Sequence, residues 1–280
     1  MMRIGLFLAT NIAVMVVLSI VLNLFGIGQQ SGGISGFVIF AALFGMGGAF
    51  ISLLLSKKMA ARSVGARIID QPNTQHESWL LETVAKQAEG AGIGMPDVAI
   101  FESPTPNAFA TGAKKDAALV AVSSGLLQHM SDDEVEAVLA HEISHVANGD
   151  MVTLALLQGV MNTFVMVFAN IIAAALDRNG RGRGMGYFVG YYVAQIGLGF
   201  LASLVVMWFS RYREYRADAG GAALAGRAKM IAALERLQQG ATPEPLPREV
   251  EAFAISGGLG SLLSTHPPLN ARIQALRNGG

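Results

Sequence analysis

The sequence predicts an α+β membrane protein, mainly helical, with about four apolar spans and soluble segments that carry a small sheet. Three observations lead there. Of 280 residues, 52% are hydrophobic and 14% are charged, against about 25% charged in soluble domains. Four uncharged stretches are each long enough to cross about 30 Å of hydrocarbon. The segments between and after them mix short β-type runs with amphipathic helical patterns.

The first stretch, Ile4–Phe25, follows Arg3 and has some features of a signal peptide. Its apolar run is longer than a usual signal core, and no clear cleavage site follows, so it reads as a retained anchor. Ile34–Leu55 is the second. The short Gly/Gln/Ser-rich link Gly26–Gly33 makes the two a hairpin, so residues 1–55 form one membrane element. Met151–Leu176 and Gly186–Phe209 make a second hairpin within residues 151–209, joined by the polar turn Asp177–Gly184. Residues 56–150 and 210–280 are the soluble parts.

In the first soluble part, Arg67–Pro72 reads as a linker. Glu77–Glu89 reads as a helix on Trp79, Leu80, Val84 and Ala88, and Gly90–Pro96 breaks it. Asp97–Phe101, Asn107–Thr111 and Ala117–Ser123 read as short strands, with a turn at Ser103–Pro106 and a loop at Gly112–Asp116. Ser124–Met130 is a short helical segment. Next comes a helix with Ser131 as its cap and Glu134 completing a capping box. Val135, Leu139, Ile143 and Val146 give that helix one apolar stripe.

The helix carries His141-Glu142-Ile143-Ser144-His145, an H-E-x-x-H run. Histidines four apart share a face and can bind one zinc ion through ring nitrogens at about 2.0–2.1 Å. Glu142 then lies beside the metal, where a general base for its water is needed. The chain has no cysteine, so disulfides and thiolate sites are excluded and the strong ligands are His, Asp and Glu. Net charge is zero, which gives nucleic acid no basic footprint.

A third ligand is expected in Ser210–Asp218, which reads as helix running on from the fourth stretch. Glu214 and Asp218 share one face. Glu214 can complete a His2Glu site, and Asp218 can accept the other ring N–H of a ligand histidine. The bland alternative pairs these acids with Arg211, Arg213 and Arg216 on a solvated face. Topology favours the metal. The histidines precede stretch three and Glu214 follows stretch four, and an even number of crossings returns the chain to the same side. Lys57, Lys58, Arg62 and Arg67 follow the second stretch, and Arg211, Arg213 and Arg216 follow the fourth, which places both soluble parts in the cytoplasm. The arginines of the 177–184 turn run against this assignment. A small sheet before an H-E-x-x-H helix suits a zincin-like catalytic domain.

The HEISH run with Ser210-Arg211-Tyr212-Arg213-Glu214-Tyr215-Arg216-Ala217-Asp218 resembles the HtpX-type membrane zinc peptidases, relatives of the CAAX prenyl endopeptidases. The resemblance covers nearly the whole chain. It takes in Pro106–Gly112 and Ser264-Thr265-His266-Pro267-Pro268. It implies a single-zinc endopeptidase of the bacterial inner membrane, facing the cytoplasm, with misfolded membrane proteins as substrates under stress.

His266, held by two prolines, is a candidate donor to the oxyanion formed when water attacks a peptide carbonyl; the alternative is a structural turn histidine. His76 and His129 read as solvent-facing. Ala241–Glu249, rich in Pro and Glu, reads as an exposed loop. Pro104 and Pro106 cannot donate ladder hydrogen bonds, so the strand of Asn107, Ala108, Phe109, Ala110 and Thr111 is expected at a sheet edge. There it can take substrate as an added strand, unless Asn107 only shapes the turn.

The expected function is thus a membrane zinc endopeptidase. His141, His145 and Glu214 hold one Zn2+, Glu142 is the base and His266 an auxiliary donor. A transporter would put its polar residues, such as Asn162, Asn170 and Gln195, on a path through the membrane, yet no span carries an acid. A scaffold with a degenerate metal motif would have no use for Glu142.

Overall fold

A computed structural model describes residues 34–176, 184–240 and 266–279. The first predicted span, its link to the second, the 177–183 turn, the 241–249 loop and Ser264–Thr265 lie outside the described residues. The chain divides into two compact units: Met1–Ser52 with Val152–Val206, and Leu53–Met151 with Met207–Gly280.

In the first unit three helices contribute: α1 (Ile34–Ser63), α5 (Asp150–Leu176) and α6 (Met185–Ala225). All three are long and apolar enough to cross a membrane. Much of their large apolar surface is exposed, as at Leu43, Phe44, Val193 and Ile196, which suits a hydrocarbon solvent better than water. Helices α1 and α5 meet through small residues. A Cβ at Gly45 would lie 2.6 Å from Thr163 Oγ1, and one at Gly159 would lie 3.1 Å from Met46 Cα. Such contacts let main chains approach where no hydrophobic effect drives helices together. The Thr163 hydroxyl donates to Gly159 O at 2.9 Å, so no polar group is stranded there.

The second unit is α+β. Its strands are β1 (Arg67–Ile68), β2 (Asp97–Phe101), β3 (Ala108–Thr111) and β4 (Leu119–Ser123), in the order β1-β2-β4-β3. β2 and β4 are parallel, and the other two pairs are antiparallel. β4 is buried at all five residues. Side chains alternate across the sheet. Val98, Val120 and Val122 face a large core shared with Leu80 and Val84 of α2 (Gln75–Gly90) and Val135, Leu139 and Ile143 of α4 (Asp132–Asn148). The same core takes Met230 and Leu234 of α7 (Arg227–Gly240) and Ile273 and Leu276 of α8 (Leu269–Arg277). Ala99, Phe101, Leu119 and Ala121 face the other way and pack with Phe109.

Most predicted elements are present with small changes of boundary. The α2 helix starts two residues early because Thr74 caps it, accepting from Glu77 N at 3.1 Å. The short α3 (Ser124–His129) is capped by Ser123. The sequence reading missed β1: Arg67–Ile68 pairs with β2 instead of serving as linker. Glu77 holds it there, accepting from Arg67 Nη2 at 2.5 Å and from Asn73 N at 2.7 Å. Helix α1 continues past its apolar run to Ser63, and α6 continues past Phe209 to Ala225.

As expected, β3 is an edge strand. Its entry is fixed by Ser123, whose hydroxyl donates to Thr105 O at 2.9 Å and accepts from Asn107 N at 2.9 Å. Ser123 N also donates to Asn107 O at 2.8 Å. In an antiparallel ladder alternate residues face the partner strand. Asn107, Phe109 and Thr111 therefore direct their main-chain groups to β4. Those of Ala108 and Ala110 point to the open edge.

Candidate metal centre

Helix α4 presents the motif because both of its ends are specified. Ser131 Oγ accepts from Glu134 N, and Glu134 Oε2 accepts from Ser131 N at 2.7 Å, which closes the capping box. The apolar stripe fixes the helix rotation by burying Val135, Leu139 and Ile143. Gly149 ends the helix in the left-handed region, φ 70°, which glycine adopts without strain. The chain turns at once into α5, and Asp150 comes back to the motif.

His141 and His145 are both buried. Their Nε2 atoms lie 3.1 Å apart. Glu214 of α6, 1% exposed, brings Oε1 to 3.3 Å from His145 Nε2 and Oε2 to 3.5 Å from His141 Nε2. Four-coordinate bonds of 2.0–2.1 Å put neighbouring ligand atoms about 3.3 Å apart, and these separations match. Neither Glu214 oxygen receives a well-aligned hydrogen bond among the described residues, although both are buried. A cation between the three groups would satisfy that carboxylate. Among the described residues, His141, His145 and Glu214 form a group able to hold a metal ion.

The outer ring nitrogens are held by carboxylates. His145 Nδ1 is 2.6 Å from Asp150 Oδ2. His141 Nδ1 is 2.9 Å from Asp218 Oδ1. Contacts of this kind set the ring orientation and raise ligand basicity. Asp218 is in turn gripped by Arg272 of α8, whose Nη1 also lies 3.4 Å from Glu214 Oε2. Burial disfavours a proton on either histidine. Asp150 and Glu214 outweigh it at His145 and push the pKa up to about 9. Asp218 and Glu214 do the same at His141, which is also raised. The pocket therefore favours positive charge.

Glu142 is half-buried on the same helix, next to His141. The exposed ring of His266 lies against the centre, with Nδ1 3.0 Å from Glu214 Oε2. Asn107 is exposed at the head of β3, and Ala108 and Ala110 pack on the core that α4 shares. The structure thus brings together His141, His145, Glu214, Asp218 and His266. The sequence reading missed two partners. Asp150 carried a signal, an acid just past a glycine stop and five residues after His145. Arg272 carried none beyond being a basic residue in a short amphipathic helix.

Residues 74–279 match the family described as Peptidase family M48. The chain belongs to that family. Protease HtpX of Stenotrophomonas maltophilia (strain R551-3) is 57% identical over 282 residues, covering 98% of this chain and 97% of that protein. Protease HtpX of Xanthomonas oryzae pv. oryzae (strain MAFF 311018) is 56% identical over 284 residues, with the same coverage. The crystal structure of S. mikatae Ste24p aligns with TM-score 0.61 over 94% of this chain, at 16% identity, and this M48 chain spans 66% of that longer one. That likeness concerns the fold. Family and relatives make the chain a metalloprotease, and its apolar helices make it a membrane protein.

Proposed function

We propose that this M48 peptidase is a zinc endopeptidase of the bacterial inner membrane that cleaves misfolded or damaged membrane proteins from the cytoplasmic side. The observation that supports it most is the convergence of two histidine nitrogens and a buried carboxylate at ligand spacing. Two imidazoles and one carboxylate are a donor set that suits zinc and leaves a position open. Bound there, zinc would supply Lewis acidity and a water of lowered pKa.

The chain's own residues do the rest. His141, His145 and Glu214 hold the ion, and Asp150 and Asp218 orient the two rings. Glu142 takes the proton from the attacking water and delivers it to the leaving amine. His266 donates a hydrogen bond to the developing oxyanion. The open edge of β3 binds the substrate backbone as an added strand, through Ala108 and Ala110, with the Asn107 amide beside it. Main-chain recognition tolerates varied side chains, which suits an enzyme that clears unfolded segments. Lys57, Lys58, Arg62 and Arg67 after the second apolar stretch and Arg211, Arg213 and Arg216 after the fourth support the cytoplasmic orientation.

The test is metal content and hydrolysis of an unfolded protein by the detergent-purified enzyme, beside Glu142→Gln. That variant should keep its zinc and lose hydrolysis. Cleavage at wild-type rate would remove Glu142 from the mechanism. A purified protein that neither binds zinc nor cleaves would remove the whole reading.

A further inference from the structure

Two helices can approach only as closely as the side chains at their crossing allow. The second unit holds its ligands on two such helices, the histidines on α4 and Glu214 on α6. Ser144 sits on α4 between the ligand histidines and is buried. Facing it on α6 is Gly220. A Cβ at Gly220 would lie 2.6 Å from Ser144 Oγ and 2.9 Å from Ser144 Cβ. A Cβ at Gly221 would lie 3.1 Å from His141 N, 3.3 Å from His141 Cα and 3.1 Å from Met230 Sδ. Carbon atoms in contact normally stay about 3.5–4.0 Å apart. The Ser144 hydroxyl could rotate away, but its Cβ is fixed to the α4 backbone. The main chain of α6 thus rests directly against the segment of α4 that bears the ligands.

Gly220 follows Glu214 by six residues, about 9 Å along the helix. Between them Asp218 holds His141 at 2.9 Å. Any widening of the crossing at Gly220 therefore draws Asp218 and Glu214 away from the histidines. Metal–ligand distances tolerate about 0.2 Å, less than an added methyl would demand.

We propose that Gly220, backed by Gly221, is a positioning residue that sets the gap between Glu214 and the His141–His145 pair and thereby sets metal affinity. This rests on the reading that those three residues hold the metal. The glycines serve here as a spacer of zero thickness. A polar or catalytic role is not involved.

The test is zinc titration of the full-length, detergent-purified protein, with the melting temperature of the metal-free form measured alongside. Gly220→Ala should weaken zinc binding by about tenfold or more, the scale seen when groups supporting a ligand are lost. Gly221→Ala, with milder contacts, should weaken it less. Ser144→Gly removes both atoms that the new methyl meets. The double variant Gly220→Ala/Ser144→Gly should therefore bind zinc within about threefold of Ser144→Gly alone. Recovery of zinc affinity separates spacing from general packing. Wild-type affinity in Gly220→Ala, or a lower melting temperature with unchanged affinity, would overturn the proposal. So would a double variant that shows no recovery, whether or not the single variant folds. His141→Ala in the same titration reports on the site itself. If it binds zinc as wild type does, the ligand assignment fails whatever Gly220 does.

Discussion

Arg272 grips Asp218 through two hydrogen bonds, Nε to Oδ2 at 2.7 Å and Nη2 to Oδ1 at 2.6 Å. Both side chains are buried, at 7% and 1% exposure. Planar bidentate pairs of this kind are strong and direction-specific. The pair ties α8 to the helix that supplies Glu214 and fixes the carboxylate that meets His141.

Removing the guanidinium should therefore harm stability and metal binding together. Among the described residues, Arg272→Met leaves Asp218 buried with only His141 beside it, and losing one partner of a buried ion pair costs about 3–5 kcal/mol. The expected outcome is a clear fall in melting temperature and weaker zinc binding. Arg272→Met/Asp218→Asn should recover much of the stability, because the buried carboxylate charge is gone, and little of the affinity. Thermal unfolding and zinc titration of the two variants check this.

A metal ion held by His145 would compete there with a proton. Its pKa is pushed up to about 9 by Asp150 and Glu214 against the effect of burial. A ring nitrogen must lose its proton before it binds a metal ion. Zinc affinity should therefore rise with pH throughout the range below about 9 and level off near there. Asp150→Asn removes one carboxylate that raises the pKa, so the levelling should move to lower pH. The plateau affinity should also fall, by about 10–100-fold. Competition titrations across this pH range give both quantities.

The open edge of β3 predicts an unequal response to proline. Ala110 directs its N–H to the edge, so Ala110→Pro costs the sheet no ladder bond. It should reduce cleavage of an unfolded reporter while zinc content and melting temperature stay near wild type. Phe109→Pro removes a donor to β4 and should lower the melting temperature as well. Asn107→Ala should behave like Ala110→Pro if its amide holds substrate. Activity that falls only in step with melting temperature would remove β3 from substrate binding.

Orientation is open to a direct measurement, because the chain has no native cysteine. Cysteines introduced at Lys115 and Gln239 should resist an impermeant thiol reagent added outside intact cells. Labelling of both would reverse the assigned topology.

What could be read from the sequence was what local pattern specifies. The capping box at Ser131, the stripe through Leu139 and Ile143 and the H-E-x-x-H spacing are all properties of one helix, and all are present in the structure. The spacing of Glu214 and Asp218 could be read for the same reason. β1 was not legible, because two residues show no alternation and pair only through contacts made elsewhere, at β2 and Glu77. Arg272 reaches Asp218 across 54 residues, and no period or motif joins them. Asp150 was passed over because it stands where an apolar stretch begins, and hydropathy drew the boundary through it.

One helix, Met185–Ala225, runs without interruption from an apolar segment to Glu214 and beyond. On the other side, a single glycine separates the motif helix from the apolar α5. Neither the helix of His141 and His145 nor the segment of Glu214 is joined to its apolar neighbour by a long linker. A soluble fragment would therefore have to end within or beside one of these helices. Clipping the chain between these segments would sever a helix or remove Asp150 from His145. Attempts at a water-soluble fragment should therefore trade solubility against the placement of Asp150 and Glu214.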